Sequence, residues 1–147
     1  MERCPGNSLF ERVIAIRERE FGSDHRDLAG TLSNLGAAYR PLDVRKATEL
    51  LLRALKIMER EFGHDHPELA ATLNNLGGAY VAMNRLNDAV AVFERAVAIM
   101  ERAHGVGFRE LVEPLSNLAV CYRSTGAPQK SILLYDRATT IAENAFG

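Results

Sequence analysis

The sequence predicts an all-α solenoid, a stack of antiparallel helix pairs with about seven helices in all. The first observation is a repeat: residues 28–39 recur at residues 69–80 and, in a more divergent form, at residues 111–122. The offsets are 69 − 28 = 41 and 111 − 69 = 42 residues. The second is a marker with the same period, at Phe21-Gly22, Phe62-Gly63, His104-Gly105 and Phe146-Gly147. A period of this length is typical of stacked supersecondary units.

The third observation is the helical spacing of apolar residues within each unit. In the first unit, the face at i, i+4, i+7, i+8 and i+11 consists of Leu28, Leu32, Leu35, Gly36 and Tyr39. This spacing predicts one buried face of an α-helix, which we call helix A of the unit. A second amphipathic stretch, helix B, follows a break at residues 40–43 and ends at the next Phe-Gly marker.

Applied along the chain, the same pattern gives seven helices in order. They are predicted near residues 8–20, 26–40, 43–61, 66–83, 86–103, 109–124 and 128–146. Residues 1–7 form an N-terminal lead, and residues 8–147 form the array. Within the array, residues 8–25 are a partial repeat with helix B only, and residues 26–65, 66–107 and 108–147 are three full repeats. Because stacked repeats need polar caps at their ends, we expect either a longer array or association through the open ends.

The turns and caps differ between the units. The first turn from helix A to helix B is one residue shorter than the other two and contains Pro41, which predicts a geometry of its own. Asp65 is a good N-cap residue, and Glu68 three residues later completes a capping-box pattern for the helix that follows. The third repeat lacks this cap, since it reads Gly-Phe-Arg-Glu at residues 107–110, and its helix start is expected to fray.

Composition limits the possible classes of function. The chain has 147 residues, 47% of them apolar and 25% charged, which fits a folded, soluble protein. With 18 basic and 19 acidic residues the net charge is −1, which argues against a nucleic-acid partner and against binding to a membrane surface. The cysteines Cys4 and Cys121 form no disulfide framework, and no run of 18 apolar residues occurs. We therefore expect a cytoplasmic protein, and a nuclear location stays open.

The repeat pattern resembles the tetratricopeptide repeat (TPR). The small and apolar residues that carry the resemblance recur in the three repeats as Leu32, Leu35, Gly36, Tyr39, Ala47, Leu51 and Ala54, then Leu73, Leu76, Gly77, Tyr80, Ala89, Phe93 and Ala96, then Leu115, Leu118, Ala119, Tyr122, Ser131, Tyr135 and Ala138. The 42-residue spacing and the segment 62–77 resemble the long-helix repeats of kinesin light chains. The resemblance implies a right-handed superhelix that binds other proteins and does no chemistry itself.

A candidate binding surface lies on the helix-A face opposite the buried one. Asparagines recur there in register at Asn34, Asn75 and Asn117, and Asn74 adds a second amide in the middle repeat. A side-chain amide donates and accepts hydrogen bonds, so it can pair with the backbone of an extended peptide of any sequence. The resemblance implies this role, because other TPR proteins use such an asparagine ladder. The alternative is that these amides bond to neighbouring helices or to water.

Other residues bear on the surface or on competing chemistry. Arg40 and Arg123 flank it and are expected to attract acidic groups of a ligand. The segment His64-Asp65-His66 suggests a metal site, but it recurs as Ser23-Asp24-His25 without a third ligand and is better explained as a linker. Cys121 aligns with alanines and is expected to be buried and inert. On the exposed helix-B faces, Glu49 and Arg53 are predicted to pair, while the tyrosines at 39, 80 and 122 are predicted to serve packing.

These observations predict a non-catalytic scaffold or adaptor that binds an extended, acidic peptide in the concave helix-A groove, with no metal and no cofactor. One alternative is a structural segment that associates with itself through the open ends of the array. Another is a regulatory TPR fragment of a larger multidomain protein, such as a cargo adaptor similar to kinesin light chains.

Overall fold

The computed structural model describes the backbone of residues 5–146 and the side chains of residues 9–146. This part of the chain contains seven α-helices, one 3-10 turn and no strand, which confirms the all-α prediction. The helices are α1 (Pro5–Phe21), α2 (Asp27–Tyr39), α3 (Val44–Phe62), α4 (Leu69–Ala82), α5 (Leu86–His104), α6 (Val112–Ser124) and α7 (Pro128–Phe146). The first helix begins three residues earlier than predicted, because Pro5 is tolerated in a first helical turn. Cys4 lies outside the described residues.

The chain divides into two compact units, Met1–Asn75 and Leu76–Gly147. In the first unit, α2 packs against both α1 and α3. The apolar face that the sequence predicted on α2 is buried at Leu28, Leu32 and Leu35. Gly36 allows the close contact with α3, since a Cβ placed there would lie 2.7 Å from Cγ of Leu51. The small residue of the repeat signature therefore allows α2 and α3 to lie this close together.

The second unit is built in the same way around α5, α6 and α7. Its core contains buried residues from the three helices and from the 3-10 turn, namely Val97, Leu111, Leu115, Ala138 and Ile141. Partly buried apolar residues surround this cluster, namely Met100, Phe108, Val112 and Leu134. Cys121 is buried with a free thiol, and burial raises its pKa, so the predicted inert role is consistent with its position.

The linkers from helix B to helix A share an aromatic stack that the sequence analysis did not predict. Phe21 stacks on His25 with ring centroids 4.8 Å apart, and Phe62 stacks on His66 at 4.7 Å. In the third linker the two residue types change places, and His104 stacks on Phe108 at 4.2 Å. The glycine after each first ring has a φ near 90°, as at Gly63 with φ 88° and ψ 172°, a region open essentially only to glycine. This explains why the Phe-Gly or His-Gly marker recurs.

The helix starts after these linkers differ from the prediction. Nδ1 of His66 accepts a hydrogen bond from the backbone amide of Glu68 at 3.2 Å, and α4 begins only at Leu69. His25 makes the same bond to the amide of Asp27. The predicted capping box of Asp65 and Glu68 therefore placed the helix start too early, and the histidine supplies this bond. In the third repeat the expected frayed start is a 3-10 turn, Arg109–Leu111.

The turns from helix A to helix B confirm that the first one has its own geometry. There the carbonyl of Tyr39 accepts hydrogen bonds from the amides of Leu42 and Asp43, and the Asp43 side chain caps α3. In the other two turns the tyrosine carbonyl accepts a bond from the residue five positions on, and each turn contains a residue with positive φ, namely Asn84 or Gly126. The missing residue is thus replaced by a tighter turn with an aspartate cap.

Arg53 corrects a further prediction. It was expected to pair with Glu49 on its own helix, but its Nη2 lies 2.6 Å from Glu18 on α1 and also donates to the carbonyl of Ser23. Arg137 on α7 repeats this arrangement with Glu101 on α5 and the carbonyl of Val106. Each arginine therefore ties its helix to the previous helix B and to the linker that follows it.

Candidate peptide-binding face

The outward side of each helix A carries a ridge of three residues spaced i, i+3 and i+6. We call these the amide ridges: Asn34, Ala37 and Arg40 on α2; Asn75, Gly78 and Val81 on α4; Asn117, Val120 and Arg123 on α6. Residues three apart are neighbours on a helix surface, so each ridge presents an amide, then a small or aliphatic residue, then an arginine or valine. Arg40 is the C-cap residue of α2 and continues its helical backbone.

The amides of these ridges are available for a ligand. Asn34 is exposed, and Asn75 and Asn117 are half-buried. Within residues 9–146, no side chain or backbone group forms a hydrogen bond with any of these three amides. Asn74 is different, because it is half-buried and already has an interaction within the chain. The predicted set of four asparagines thus separates into three open amides and one engaged amide.

Ser33, the residue before Asn34, is buried in the structure. Its hydroxyl lies 2.8 Å from the hydroxyl of Thr72 on α4, and that threonine is also buried. Ser33 directly precedes Asn34, and Thr72 lies one helical turn before Asn75. Within the first unit, this bond therefore holds the two helices that carry Asn34 and Asn75 against each other at the level of the amides.

The two predicted arginines are exposed at the ends of α2 and α6. No acidic side chain in the described part of the chain pairs with Arg40 or Arg123. This distinguishes them from Arg53 and Arg137, whose guanidinium groups are held by glutamates. A free guanidinium offers up to five N–H donors to a carboxylate, so Arg40 and Arg123 are suited to an acidic ligand.

The tyrosines near the ridges have polar partners that sequence analysis missed. The hydroxyl of Tyr39 donates to Glu11, and that of Tyr122 donates to Glu94. A cation lies over each ring of the set, Lys46 over Tyr39 at 4.5 Å, Arg85 over Tyr80 at 4.6 Å and Lys130 over Tyr122 at 5.1 Å. The sequence did carry a signal, because both hydroxyl acceptors lie 28 residues before their tyrosine. Of the three rings, Tyr80 alone is buried, so packing describes that one best.

Hydrogen bonding changes the ionisation of two groups in these clusters. The bond to Glu94, together with burial and the glutamate charge, raises the pKa of Tyr122 to about 12. The bonds of Lys46 to Glu11 and Tyr39 raise the pKa of the lysine, and the ammonium lies 2.9 Å from the Glu11 carboxylate. The Lys46 ammonium and the Tyr122 hydroxyl thus keep their protons at neutral pH.

Metal-ligand clusters and helices that could span a membrane are both absent from the described residues. Nowhere in this part of the chain do three or more histidine, cysteine, aspartate or glutamate side chains gather where they could hold a metal ion. None of the helices within residues 5–146 combines the length and apolar character needed to cross a bilayer.

Comparison with known proteins identifies the repeat. Three family models described as tetratricopeptide repeat match residues 7–27, 42–102 and 115–145. No curated protein matches the chain significantly. Among solved structures, BtubC (BKLC) from P. vanneervenii matches with a TM-score of 0.88 and 25% identity over 96% of this chain and 57% of that one.

Two further structures give the same result. The nearly identical TPR-like repeats of a candidate kinesin light chain from Podosopora anserina match with a TM-score of 0.82 and 26% identity, over 94% of this chain and 66% of that one. This chain therefore spans less than two thirds of both proteins. The TPR domain of Arabidopsis FLU matches in fold, with a TM-score of 0.71 and 19% identity over 80% of this chain and 97% of that domain. Together with the repeated helix pairs, these matches show that the chain belongs to the tetratricopeptide repeat family and that its repeats are similar to those of kinesin light chains.

Proposed function

We propose that this protein is a non-catalytic scaffold that binds an extended peptide along the amide ridges. TPR arrays generally mediate contacts between proteins, and the open amides of Asn34, Asn75 and Asn117 are the observation that carries the proposal. A peptide in extended conformation presents alternating backbone donors and acceptors, and a side-chain amide can pair with either. The residue after each asparagine in its ridge is alanine, glycine or valine, which leaves room for a chain to approach.

The free arginines favour a peptide with acidic residues. Arg40 and Arg123 stand at the same end of their ridges and are exposed. Each is expected to contribute a charge-assisted hydrogen bond that weakens with added salt. A partner in the cytoplasm is part of this proposal.

A second form of the proposal is an adaptor segment within a longer protein. It is favoured by the similarity to the repeats of a candidate kinesin light chain, of which this chain spans 66%. In that case the same ridges would bind the peptide, and the flanking domains would bind the second partner of the adaptor.

The test is a selection from a displayed library of random peptides with the wild-type chain as bait. Peptides that bind are then measured by fluorescence anisotropy against the variant Asn34→Ala/Asn75→Ala/Asn117→Ala. The matched control is Asn87→Ala/Gln129→Ala/Asn144→Ala, which removes three exposed amides from helices α5 and α7. Circular dichroism confirms equal helicity of all three proteins.

We expect the ridge variant to bind selected peptides at least about ten-fold more weakly, since each lost hydrogen bond contributes roughly 1 kcal/mol. The control variant should bind like the wild type. Equal binding by the ridge variant, or a loss that is the same in the control, would reject the amide ridges as the binding site.

A further inference from the structure

The first and last helices each carry an exposed stripe in which apolar and charged residues alternate. On α1 the basic stripe consists of Leu9, Arg12, Ile16 and Arg19, at i, i+3, i+7 and i+10. On α7 the acidic stripe consists of Ile132, Asp136, Thr139, Glu143 and Phe146, at i, i+4, i+7, i+11 and i+14. Both spacings place the members on one face of a helix, and the two faces have opposite charge.

The charged members of these stripes occupy positions that are paired elsewhere in the array. Arg12 precedes Arg53 by 53 − 12 = 41 residues, and Glu143 follows Glu101 by 143 − 101 = 42 residues. These are the repeat offsets, so Arg12 holds the position of Arg53 and Arg137, and Glu143 holds that of Glu18 and Glu101. In each unit, the arginine of one helix B pairs with the glutamate of the preceding helix B, as in the 2.6 Å contact of Arg53 with Glu18.

Arg12 and Glu143 are the unmatched halves of this repeated pair. Both side chains are exposed, and neither forms an ion pair or hydrogen bond with any residue in the described part of the chain. The same holds for Arg19 and Asp136, whose side chains extend the basic and the acidic stripe.

The apolar members show the same contrast with their counterparts. Ile16 is 54% exposed, whereas Ile57 at the same position of α3 is 2% exposed. On α7, Ile132 is 59% exposed. Phe146 is 69% exposed, but its counterparts Phe21 and Phe62 are exposed as well, and the guanidinium of Arg109 lies over the Phe146 ring at 4.4 Å. Thr139 is exposed as well, although Val97 at the same position of α5 belongs to the core of the second unit. Ile16 and Thr139 therefore hold positions that are buried on α3 and α5, where a neighbouring repeat is present.

We propose that copies of this chain associate head to tail, with the acidic stripe on α7 of one copy against the basic stripe on α1 of the next. Within each unit, successive helices B are joined by an arginine–glutamate pair, and this contact restores the same pair between Glu143 and Arg12. A second copy fits because the two stripes have opposite charges at a similar spacing along their helices. Contact between two different surfaces is heterologous, so association forms rings or open chains.

The test is the mass of the purified protein as a function of concentration, measured by sedimentation velocity. The wild type is expected to increase in mass with concentration, and added salt is expected to weaken association. Arg12→Glu and Glu143→Arg place like charges in contact and are each expected to weaken association about ten-fold or more. The double variant Arg12→Glu/Glu143→Arg restores opposite charges and is expected to recover most of the wild-type association.

The matched control is Glu49→Arg, which makes the same charge reversal at an exposed position of α3 outside both stripes. It should associate like the wild type. A wild type that stays monomeric at every concentration would overturn the proposal, as would single variants that associate normally or a double variant no better than the singles. None of these residues lies in an amide ridge, so failure here leaves the peptide-binding proposal to its own test.

Discussion

The glycine of the repeat signature controls how closely helices A and B approach. A Cβ on Gly77 would lie 2.5 Å from the ring of Phe93, which is fully buried. We expect Gly77→Ala to lower the free energy of unfolding by about 1–3 kcal/mol, because overpacking outweighs the higher helix propensity of alanine. Urea unfolding followed by circular dichroism measures this change.

Gly30 provides the matched comparison for this prediction. It lies in α2 and is exposed, and a Cβ added there would meet no atom within 4 Å. Gly30→Ala should therefore raise the free energy of unfolding by roughly 0.5–1 kcal/mol through helix propensity alone. If both substitutions had the same sign, close packing would not explain the glycine at position 77.

The hydroxyl of Tyr122 gives a second prediction at the residue scale. Its pKa of about 12 lies above the ordinary value of 10.0, chiefly because the hydroxyl donates to Glu94. A raised pKa favours the protonated folded state, so this contribution to stability is complete below pH 10 and is lost between pH 10 and about 12. The free energy of unfolding should fall more steeply over this range in the wild type than in Tyr122→Phe.

Tyrosinate absorbance supplies an independent measurement of the same effect. In the native protein, one tyrosine should ionise at a higher pH than its ordinary value, and Tyr122→Phe should remove that component. Glu94→Gln removes the negative charge and should move this high-pH component of the titration to lower pH. An unchanged titration in Glu94→Gln would mean that the charge of the glutamate does not contribute to the raised pKa.

At the scale of the element, the start of α3 depends on one side chain. Asp43 accepts hydrogen bonds from the amides of Arg45 and Lys46 at 3.1 Å each. Asp43→Ala should lower the free energy of unfolding by about 1 kcal/mol, whereas Asp43→Asn should keep most of the cap. Thermal unfolding of the two variants checks this, and equal losses in both would indicate that the charge of Asp43 matters more than its hydrogen bonds.

Much of this element structure could be predicted from the sequence, because apolar spacing and repeat period are local signals. The positions of the helices, the need for Gly36 and the distinct turn at Pro41 follow from such signals. The partners of Arg53 and Ser33 could not be predicted in this way. Each pairs with a residue more than 30 positions away, on a helix whose rotation the sequence does not specify.

The candidate site divides in the same way. Register alone placed Asn34, Asn75 and Asn117 at one position of three helices, and the structure leaves all three amides open. Register did not distinguish Asn74, which is engaged within the chain. Whether an amide is open depends on the neighbouring helix, which a pattern within one helix cannot report.

At the scale of the whole molecule, stability is expected to be the sum of contributions from each repeat and its neighbours. Each of the two units has its own arginine that ties one helix B to the previous one, Arg53 in the first and Arg137 in the second. The side chains of Arg137 and Glu101 are 32% and 27% exposed, so their pair is expected to contribute only about 1 kcal/mol. Loss of this stabilisation should affect mainly the helices that the pair joins.

Arg137→Gln therefore gives a prediction about where stability is lost. Removing the guanidinium abolishes the ion pair with Glu101 and the bond to the carbonyl of Val106. Native-state hydrogen exchange should become faster in α7 and in the linker at residues 105–108, while amides in α2 keep their protection. Arg53→Gln is the matched variant in the first unit and should reverse the pattern, with faster exchange in α1 and in residues 22–26. Equal acceleration throughout the chain in either variant would show that the array unfolds as one cooperative unit, and the additive description would then be wrong for this protein.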